Sequence, residues 1–297
     1  MSYIFSGKKY VNEKEADLRR KVVDIKKDGT IPQLVIFQIG ENKASEVFLK
    51  EKAKFAKKVG IKLRLIFLEE DTDIHHIAEL IKKENNNQKV HGVMIQLPLP
   101  KNFSKDERDQ LITTIDSQKD VDGMREDSLY TTPVVRAVVS IVREACMKGV
   151  RDRPLLQGSV PCMKVVVVGA KGFVGRRIVE ALGVRNYSLL DERNEKQRII
   201  TGKISVVGVT SKNIKEIKRE TLKADILISV TGVSGLIKGD MVKKGAIVID
   251  VGSPKGDVVT SEVVQRASFL SPVPGGVGPL TVYFLMENLV EALIGIK

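Results

Sequence analysis

The sequence predicts an α/β protein of two domains, each with a parallel sheet covered by helices on both faces. Short apolar runs of strand length alternate with longer amphipathic stretches along most of the chain. This alternation is typical of parallel sheets enclosed by helices. The 297 residues suffice for two domains of ordinary size. A polar, turn-like stretch at residues 120–133 divides the alternation into two sets.

The set before this divide predicts a three-layer domain. The expected strands are residues 34–39, 62–68 and 90–96, and the expected helices are residues 45–59 and 74–84. The set after it begins with a long helix at residues 134–147 and predicts a separate doubly wound unit. Its expected strands are residues 164–168, 187–190, 204–209, 226–230 and 246–251, with a helix from about Gly172 and a terminal helix at residues 282–294.

The composition narrows the class of protein. Lys and Arg number 49 against 37 acidic residues, a formal net charge of +12, which favours anionic partners such as nucleic acid, a phosphate-bearing cofactor or a polycarboxylate. The basic residues are scattered, and the sequence has neither an RNA-binding aromatic motif nor a paired-cysteine finger, so we expect no nucleic-acid partner. The chain has neither an uninterrupted apolar run of membrane-spanning length nor a secretory signal, which predicts a cytoplasmic protein without a membrane partner.

Metal and triad chemistry are not expected. The two cysteines, Cys146 and Cys162, form no cluster with metal-ligand spacing. His75 and His76 lie in a polar stretch and are expected to be solvated. We therefore predict no metal and no histidine-based triad.

A glycine loop is the strongest local signal. Four valines at residues 165–168 run into Gly169, Gly172 and Gly175, with the spacing G-x-x-G-x-x-G and a helical pattern afterwards. Glycines allow a tight turn and close approach to a pyrophosphate, and a helix N-terminus supplies N–H donors. The strand before and the helix after predict a Rossmann-like dinucleotide site; the alternative is a turn that binds nothing.

The choice of cofactor rests first on Asp191. It follows the next predicted strand, roughly 20 residues after the loop, where an acid can accept hydrogen bonds from ribose hydroxyls and repel a 2′-phosphate. This favours NAD over NADP, although Lys171, Arg176 and Arg193 lie nearby in the sequence and Asp191 could be a turn residue.

Three further segments carry polar groups at positions suited to a ligand. Phe48 and Lys52, four residues apart, share one helix face. Gln96 ends a predicted strand before Leu-Pro-Leu-Pro, at the edge where open parallel sheets bind ligands. Asp122 lies in an Asp-Val-Asp-Gly turn, and residues 272–281 form a rigid, open loop of three prolines and three glycines. Each segment alone has an ordinary structural explanation.

Together these segments resemble the bifunctional methylenetetrahydrofolate dehydrogenase/cyclohydrolase family. The matching blocks, in family order, are residues 45–52, 96–100, 119–123, 169–175, 250–252 and 272–281. The resemblance covers nearly the whole chain from about Ile31. It implies a folate-binding catalytic domain at residues 1–133 completed by a C-terminal helix at 278–297, an NAD(P)-binding Rossmann-like domain at 134–277, a cleft between them, and a homodimer.

The resemblance also implies roles for individual residues. Lys52 would be the key cyclohydrolase residue, Gln96 would help to set its protonation state, and Asp122 would bind the pterin ring. The implied substrate-binding set is Phe48, Lys52, Gln96, Asp122, Pro274, Gly275 and Gly276. The implied cofactor-binding set is Gly169, Ala170, Lys171, Gly172, Gly175, Asp191, Thr231, Gly232 and Ser253.

Two departures from the family pattern leave alternatives open. Phe48 stands where the family usually has tyrosine, and Ala170 stands where it usually has an arginine that would contact a 2′-phosphate. The first hypothesis is therefore a bifunctional enzyme of tetrahydrofolate derivatives that uses NAD or NADP, with NAD favoured by Asp191 and Ala170. The second is a dehydrogenase with little or no cyclohydrolase activity. The third is a folate- or nucleotide-binding regulatory protein without turnover.

Overall fold

The computed structural model describes residues 2–149, 163–183, 204–209 and 213–295. Its residues form two compact units. The three-stranded domain comprises Lys9–Pro133 and Thr281–Lys297, and the six-stranded domain comprises Met1–Lys8 and Val134–Leu280. The predicted strand at residues 187–190 lies outside the described residues.

The helices and strands follow one another in an α/β order. The strands are β1 (Tyr3–Ile4), β2 (Gln33–Ile39), β3 (Lys62–Leu68), β4 (Gly92–Ile95), β5 (Met163–Val168), β6 (Ile204–Val209), β7 (Ile226–Ser229), β8 (Ile247–Asp250) and β9 (Phe269–Ser271). The helices are α1 (Gly7–Lys27), α2 (Lys43–Val59), α3 (Ile74–Asn85), α4 (Lys105–Thr114), α5 (Pro133–Gly149), α6 (Phe173–Gly183), α7 (Ile214–Thr221), α8 (Thr260–Val263) and α9 (Val277–Ile294), with a 3-10 turn at Gly239–Met241.

The three-stranded domain is a sandwich around a parallel sheet of order β3-β2-β4. Every residue of β2 is buried, as expected for a central strand covered on both faces. One face, with Val35 and Phe37, packs on a cluster that includes Ile77 of α3 and Leu111 of α4. The opposite face carries the neighbours Ile36 and Met94, and it is the face that α2 and α9 approach.

The six-stranded domain has an all-parallel sheet of order β1-β9-β8-β7-β5-β6 in the described residues. Strands β6 and β7 flank β5 on opposite sides, so the strand order reverses at β5. Ligands of doubly wound sheets bind beyond the carboxyl ends of the strands at such a switch point. The predicted two-domain α/β fold with a doubly wound second sheet is confirmed.

The first residues depart from the predicted division of the chain. Residues 1–8 were predicted to belong to the first domain, but they lie in the six-stranded domain. The physical reason is that β1 pairs in parallel with β9 through Tyr3–Phe269 and Ile4–Leu270. Helix α1 was not predicted from the sequence, because only a narrow stripe, which includes Val11, Leu18 and Val22, is buried in an otherwise polar helix.

Helix α9 returns the chain to the three-stranded domain, which takes it from Thr281 onward. Among the described residues it is the one helix long and apolar enough to cross a membrane, with a mean hydropathy of 1.4 over Val277–Ile294. Because 61% of that window is buried inside the fold, these properties are those of a core helix.

Candidate active site

Lys52 projects from the buried face of α2. Leu49 and Ala56, three residues before it and four after it, are buried on the same helix face, so the helical repeat carries the lysine stem into the domain. The side chain is only 7% exposed. Its Nζ donates to Gln96 Oε1 at 2.8 Å and to Met94 Sδ at 3.7 Å. The predicted pair of Lys52 and Gln96 is therefore in direct contact.

Burial lowers the pKa of Lys52 below its ordinary value, and the carboxylate of Asp122 opposes that shift to a smaller extent. Desolvation penalises the ammonium form, whereas the acceptors that touch the nitrogen are neutral. The arrangement thus favours an uncharged amine, which is the form of lysine that can accept a proton.

The orientation of the Gln96 amide is set by its own neighbourhood. Gln96 follows β4, and its backbone N–H donates to the Phe37 carbonyl at 2.8 Å. Its Nε2 donates to the Leu97 carbonyl at 2.8 Å, which leaves Oε1 as the atom facing Lys52. The turn after the strand therefore presents an acceptor to the amine.

Asp122 lies in a loop that is closed by buried polar groups. The neighbouring Asp120 is fully buried, and its carboxylate accepts from the backbone N–H groups of Met124 and Arg125 at 3.2 and 2.8 Å. Burial raises the pKa of Asp120. At Gly123, where φ is +63°, a Cβ atom would lie 2.5 Å from the Tyr130 carbonyl oxygen. Asp120 and Gly123 thus shape the loop, and Asp122 is the carboxylate that acts on Lys52.

Asn288 of α9 clamps the same loop and was not predicted from the sequence. Its side chain is fully buried, and Nδ2 donates to the carbonyls of Val121 at 2.8 Å and Thr131 at 3.0 Å. Met94 was also missed. A single Asn in an apolar helix and a single Met in a strand form no recognisable motif in one sequence. Only the position of Met94, two residues before Gln96, could have drawn attention to it.

Phe48 is half-buried one helical turn before Lys52. A phenyl ring there offers an apolar face and no hydroxyl. Its role in binding substrate stays a prediction.

The glycine loop has the geometry of a close-packed strand-to-helix turn. Gly169 adopts φ +91°, and a Cβ atom on it would lie 2.5 Å from the Val230 carbonyl oxygen. A Cβ on Gly175 would lie 2.2 Å from the Gly169 carbonyl oxygen, so this glycine lets α6 approach β5. Gly172 and Lys171 are exposed just before α6 begins. The loop therefore offers open backbone at a helix N-terminus, which suits a pyrophosphate.

Further predicted cofactor residues lie at the ends of neighbouring strands. Thr231 and Gly232 follow β7, and Ser253 follows β8, while Ala170 packs against Gly208 of β6. Because β5, β7 and β8 are adjacent in the sheet, the structure brings these residues to the same edge as the glycine loop. Gly232, at φ +69°, and Ser253 are exposed there. Asp191 and Arg193 lie outside the described residues.

Two buried carboxylates, Asp250 and Asp257, hold the loops after β7 and β8, and the sequence assigned a role to neither. Asp257 Oδ2 accepts from Ser229 Oγ at 2.9 Å and from the backbone N–H and the hydroxyl of Thr231 at 2.6 and 2.8 Å. Asp250 accepts from the backbone N–H groups of Gly252, Asp257 and Val258 at 2.9 to 3.0 Å. Burial raises the pKa of Asp250. These carboxylates fix the backbone beside the predicted cofactor site.

The loop predicted to line the substrate lies in the six-stranded domain. Gly275 has φ +101°, and its carbonyl accepts from Gly7 N–H at 2.8 Å. The N–H of Gly276 donates to the Pro272 carbonyl at 2.9 Å. Contact of Pro274, Gly275 and Gly276 with a folate stays a prediction.

The potential metal ligands and the histidines are dispersed in the described part of the chain. It contains no group of three or more His, Cys, Asp or Glu side chains that could hold a metal ion. His75 and His76 are exposed at the start of α3, as predicted. Cys146 is a buried free thiol, and Cys162 lies outside the described residues.

The six-stranded sheet with its glycine loop is typical of dinucleotide-binding domains. The three-stranded domain holds a buried lysine whose pKa is influenced by a carboxylate. Together these features define an enzyme of the class that works with a nicotinamide cofactor. The comparisons with known proteins identify the family. Residues 5–122 match the profile of the tetrahydrofolate dehydrogenase/cyclohydrolase catalytic domain, and residues 155–295 match the NAD(P)-binding domain of the same family. The chain belongs to the tetrahydrofolate dehydrogenase/cyclohydrolase family.

Individual relatives are similar to this chain over nearly its full length. The chain is 33% identical over 306 residues to the bifunctional protein FolD of Lactobacillus helveticus, covering 98% of this chain and 97% of the relative. It is 33% identical over 300 residues to that of Halothermothrix orenii, covering 98% of each. The crystal structure of the bifunctional FolD methylenetetrahydrofolate dehydrogenase/cyclohydrolase from Campylobacter jejuni superposes with a TM-score of 0.82 at 29% identity and covers 100% of both chains.

The predicted activity is confirmed by this membership. The chain is an NAD(P)-dependent methylenetetrahydrofolate dehydrogenase and methenyltetrahydrofolate cyclohydrolase. Because the two relatives are named as bifunctional and the Campylobacter jejuni structure as a methylenetetrahydrofolate dehydrogenase/cyclohydrolase, the first hypothesis is favoured over the monofunctional and regulatory alternatives.

Proposed function

We propose that Lys52 is the proton acceptor of the cyclohydrolase step, with Gln96 orienting its amine and Asp122 binding the pterin. The observation that carries the proposal is that Lys52 Nζ is buried 2.8 Å from Gln96 Oε1, and that this burial lowers the pKa of the lysine. Methenyl-tetrahydrofolate is a cation, so a neutral base meets less repulsion than an ammonium would. A positioned general base contributes roughly a hundred- to ten-thousand-fold to rate.

The proposed hydrolysis balances with one water. As the water oxygen bonds to the methenyl carbon, a water proton passes to Lys52 Nζ. When the bond between that carbon and N5 breaks, the ammonium returns its proton to N5. The remaining hydroxyl proton is released as the formyl carbonyl forms, so the step yields 10-formyl-tetrahydrofolate and one proton.

Other residues are proposed to bind rather than react. Phe48 stacks on the pterin, and Pro274, Gly275 and Gly276 line the folate. A nicotinamide dinucleotide, when bound, accepts the hydride of the oxidation. The residues proposed to hold it are Gly169, Ala170, Lys171, Gly172, Gly175, Asp191, Thr231, Gly232 and Ser253. For the members other than Asp191, which lies outside the described residues, support comes from the open glycine backbone and from the shared sheet edge.

The lysine proposal is tested by comparing Lys52→Met with Lys54→Met, a matched change at an exposed lysine of the same helix. Methenyl-tetrahydrofolate loses its near-ultraviolet absorbance on hydrolysis, so the rate is read directly. We expect Lys52→Met to lower the enzymatic rate at least a hundredfold and Lys54→Met to leave it near wild type. Equal rates in the two variants would remove Lys52 from the mechanism.

We further propose NAD as the preferred cofactor, on the basis of Asp191 and of Ala170 in place of an arginine. Steady-state kinetics with NAD and NADP on one purified sample give the ratio of kcat/KM values. We expect the ratio to favour NAD and Asp191→Ser to reduce it. A ratio that favours NADP, or one unchanged by the substitution, contradicts the proposal.

The remaining proposals concern assembly and location. We propose a cytoplasmic homodimer with no nucleic-acid or membrane partner, in line with the scattered positive charge and the buried α9. Light scattering at micromolar concentration should give twice the 32.9 kDa chain mass; a mass of one chain contradicts the dimer.

A further inference from the structure

The second acceptor of Lys52 is the thioether of Met94. Nζ lies 3.7 Å from Met94 Sδ, and Met94 is only 2% exposed. Met94 stands two residues before Gln96, so the alternation of β4 places both side chains on the sheet face that α2 covers. Lys52 is thus held between two acceptors from one strand.

A neutral primary amine has two N–H groups and one lone pair, whereas an ammonium has three N–H groups. Among the described residues, the side chains that accept from Nζ are Gln96 and Met94, which matches the donor count of the neutral amine. With both N–H groups engaged, the lone pair occupies the one tetrahedral position left on the nitrogen. Rotation of the amine about the Cε–Nζ bond would break at least one of the two contacts.

We propose that Met94 is a positioning residue for the cyclohydrolase step, whose sulfur takes one N–H of Lys52 and so aims the lone pair at the water. This inference rests on the proposed role of Lys52. A thioether suits the task because it is a weak, polarisable and uncharged acceptor. A carboxylate in that position would favour the ammonium.

The consequence of losing the sulfur follows from counting orientations. If only Gln96 accepts, the amine has two orientations. In the productive one the lone pair points at the water and one N–H faces apolar atoms without an acceptor. In the other the lone pair points at the former position of the sulfur. A missing hydrogen bond of this kind costs about 1 kcal/mol. That corresponds to a fall of about three- to tenfold in kcat for hydrolysis.

Met94→Leu tests this, because Leu and Met exchange well in packed cores. The readout is the ratio of kcat for methenyl-tetrahydrofolate hydrolysis to kcat for the dehydrogenase, together with KM for hydrolysis. We expect the ratio to fall about three- to tenfold with KM within about twofold. The matched control is Met241→Leu, a methionine of the six-stranded core that is 3% exposed, for which the ratio should stay at wild type.

A second measurement separates the effect of the sulfur atom from the effect of side-chain shape. Biosynthetic replacement of methionine by norleucine exchanges sulfur for a methylene. It should lower the ratio in the wild-type chain but cause no further fall in Met94→Leu. An unchanged ratio in Met94→Leu, or equal falls in Met94→Leu and Met241→Leu, overturns the inference while the role of Lys52 stands. If Lys52→Met hydrolyses the substrate at the wild-type rate, the proposed function itself fails.

Discussion

Asn288 offers the sharpest test of how the fold positions Asp122. The perturbation is Asn288→Leu, which keeps the size of the side chain but removes both Nδ2 donors. The buried carbonyl of Val121 and the partly buried carbonyl of Thr131 then lose a partner. An unsatisfied buried carbonyl costs about 1–3 kcal/mol, and the partly buried Thr131 carbonyl adds a smaller amount, so the expected total is about 2–4 kcal/mol.

Hydrogen exchange measured by mass spectrometry reports the loss of stability in the loop itself. The loop amides of Gly123, Met124 and Arg125 all donate to Asp120, and opening of the loop exposes them. Since about 1.4 kcal/mol is tenfold in an equilibrium constant, peptides spanning residues 119–132 should exchange about 30- to 1000-fold faster in Asn288→Leu. We also expect a higher KM for the folate, because Val121 directly precedes Asp122.

The control is Tyr283→Phe, which removes one hydroxyl from the same helix, where it donates to the Glu287 carboxylate at 2.7 Å. This variant should leave exchange in residues 119–132 near wild type. Unchanged exchange in Asn288→Leu, or an equal increase in Tyr283→Phe, would refute the reasoning that α9 holds the Asp122 loop.

Three further outcomes are expected. Gly175→Ala should weaken dinucleotide binding at least tenfold in calorimetric titration, because its Cβ would lie 2.2 Å from the Gly169 carbonyl oxygen and overpacking costs about 1–3 kcal/mol. The control Gly245→Ala strains the backbone at φ +79° but meets no atom within 4 Å, so it should lower stability and still bind the dinucleotide normally. Asp257→Asn should raise KM for the cofactor severalfold, because a neutral amide oxygen accepts the three hydrogen bonds that reach Oδ2 more weakly than a carboxylate does; an unchanged KM would show that this carboxylate does not position Thr231 for cofactor binding. Lys52→Met should raise the free energy of unfolding at pH 7, since folding lowers the lysine pKa and therefore penalises the ammonium form that the unfolded chain carries at this pH. In urea titrations that gain should shrink as the pH approaches the ordinary lysine value of about 10.4, and a gain that grows with pH would contradict the lowered pKa.

The sequence alone was sufficient for the fold class and for most polar members of the site. Strand and helix periods are local properties, so β3 and β6 were predicted with the bounds that the structure has, and the glycine loop was recognised from its spacing. Lys52, Gln96 and Asp122 could be selected because they stand in blocks that resemble one family. Asp191 was selected from its distance after the glycine loop and from the predicted strand before it, and its part in cofactor choice is still a prediction.

Only the tertiary structure decided which groups touch. The contact of Lys52 with Met94 joins residues 42 positions apart, and that of Asn288 with Val121 joins residues 167 positions apart. The pairing of β1 with β9, which takes residues 1–8 out of the first domain, joins residues still farther apart in the chain, such as Tyr3 and Phe269. Such contacts leave no periodic trace in the sequence, because burial and hydrogen bonding across a sheet depend on which strands become neighbours. The lowered pKa of Lys52 was likewise decided by the tertiary structure, since it arises because the fold removes water from the amine.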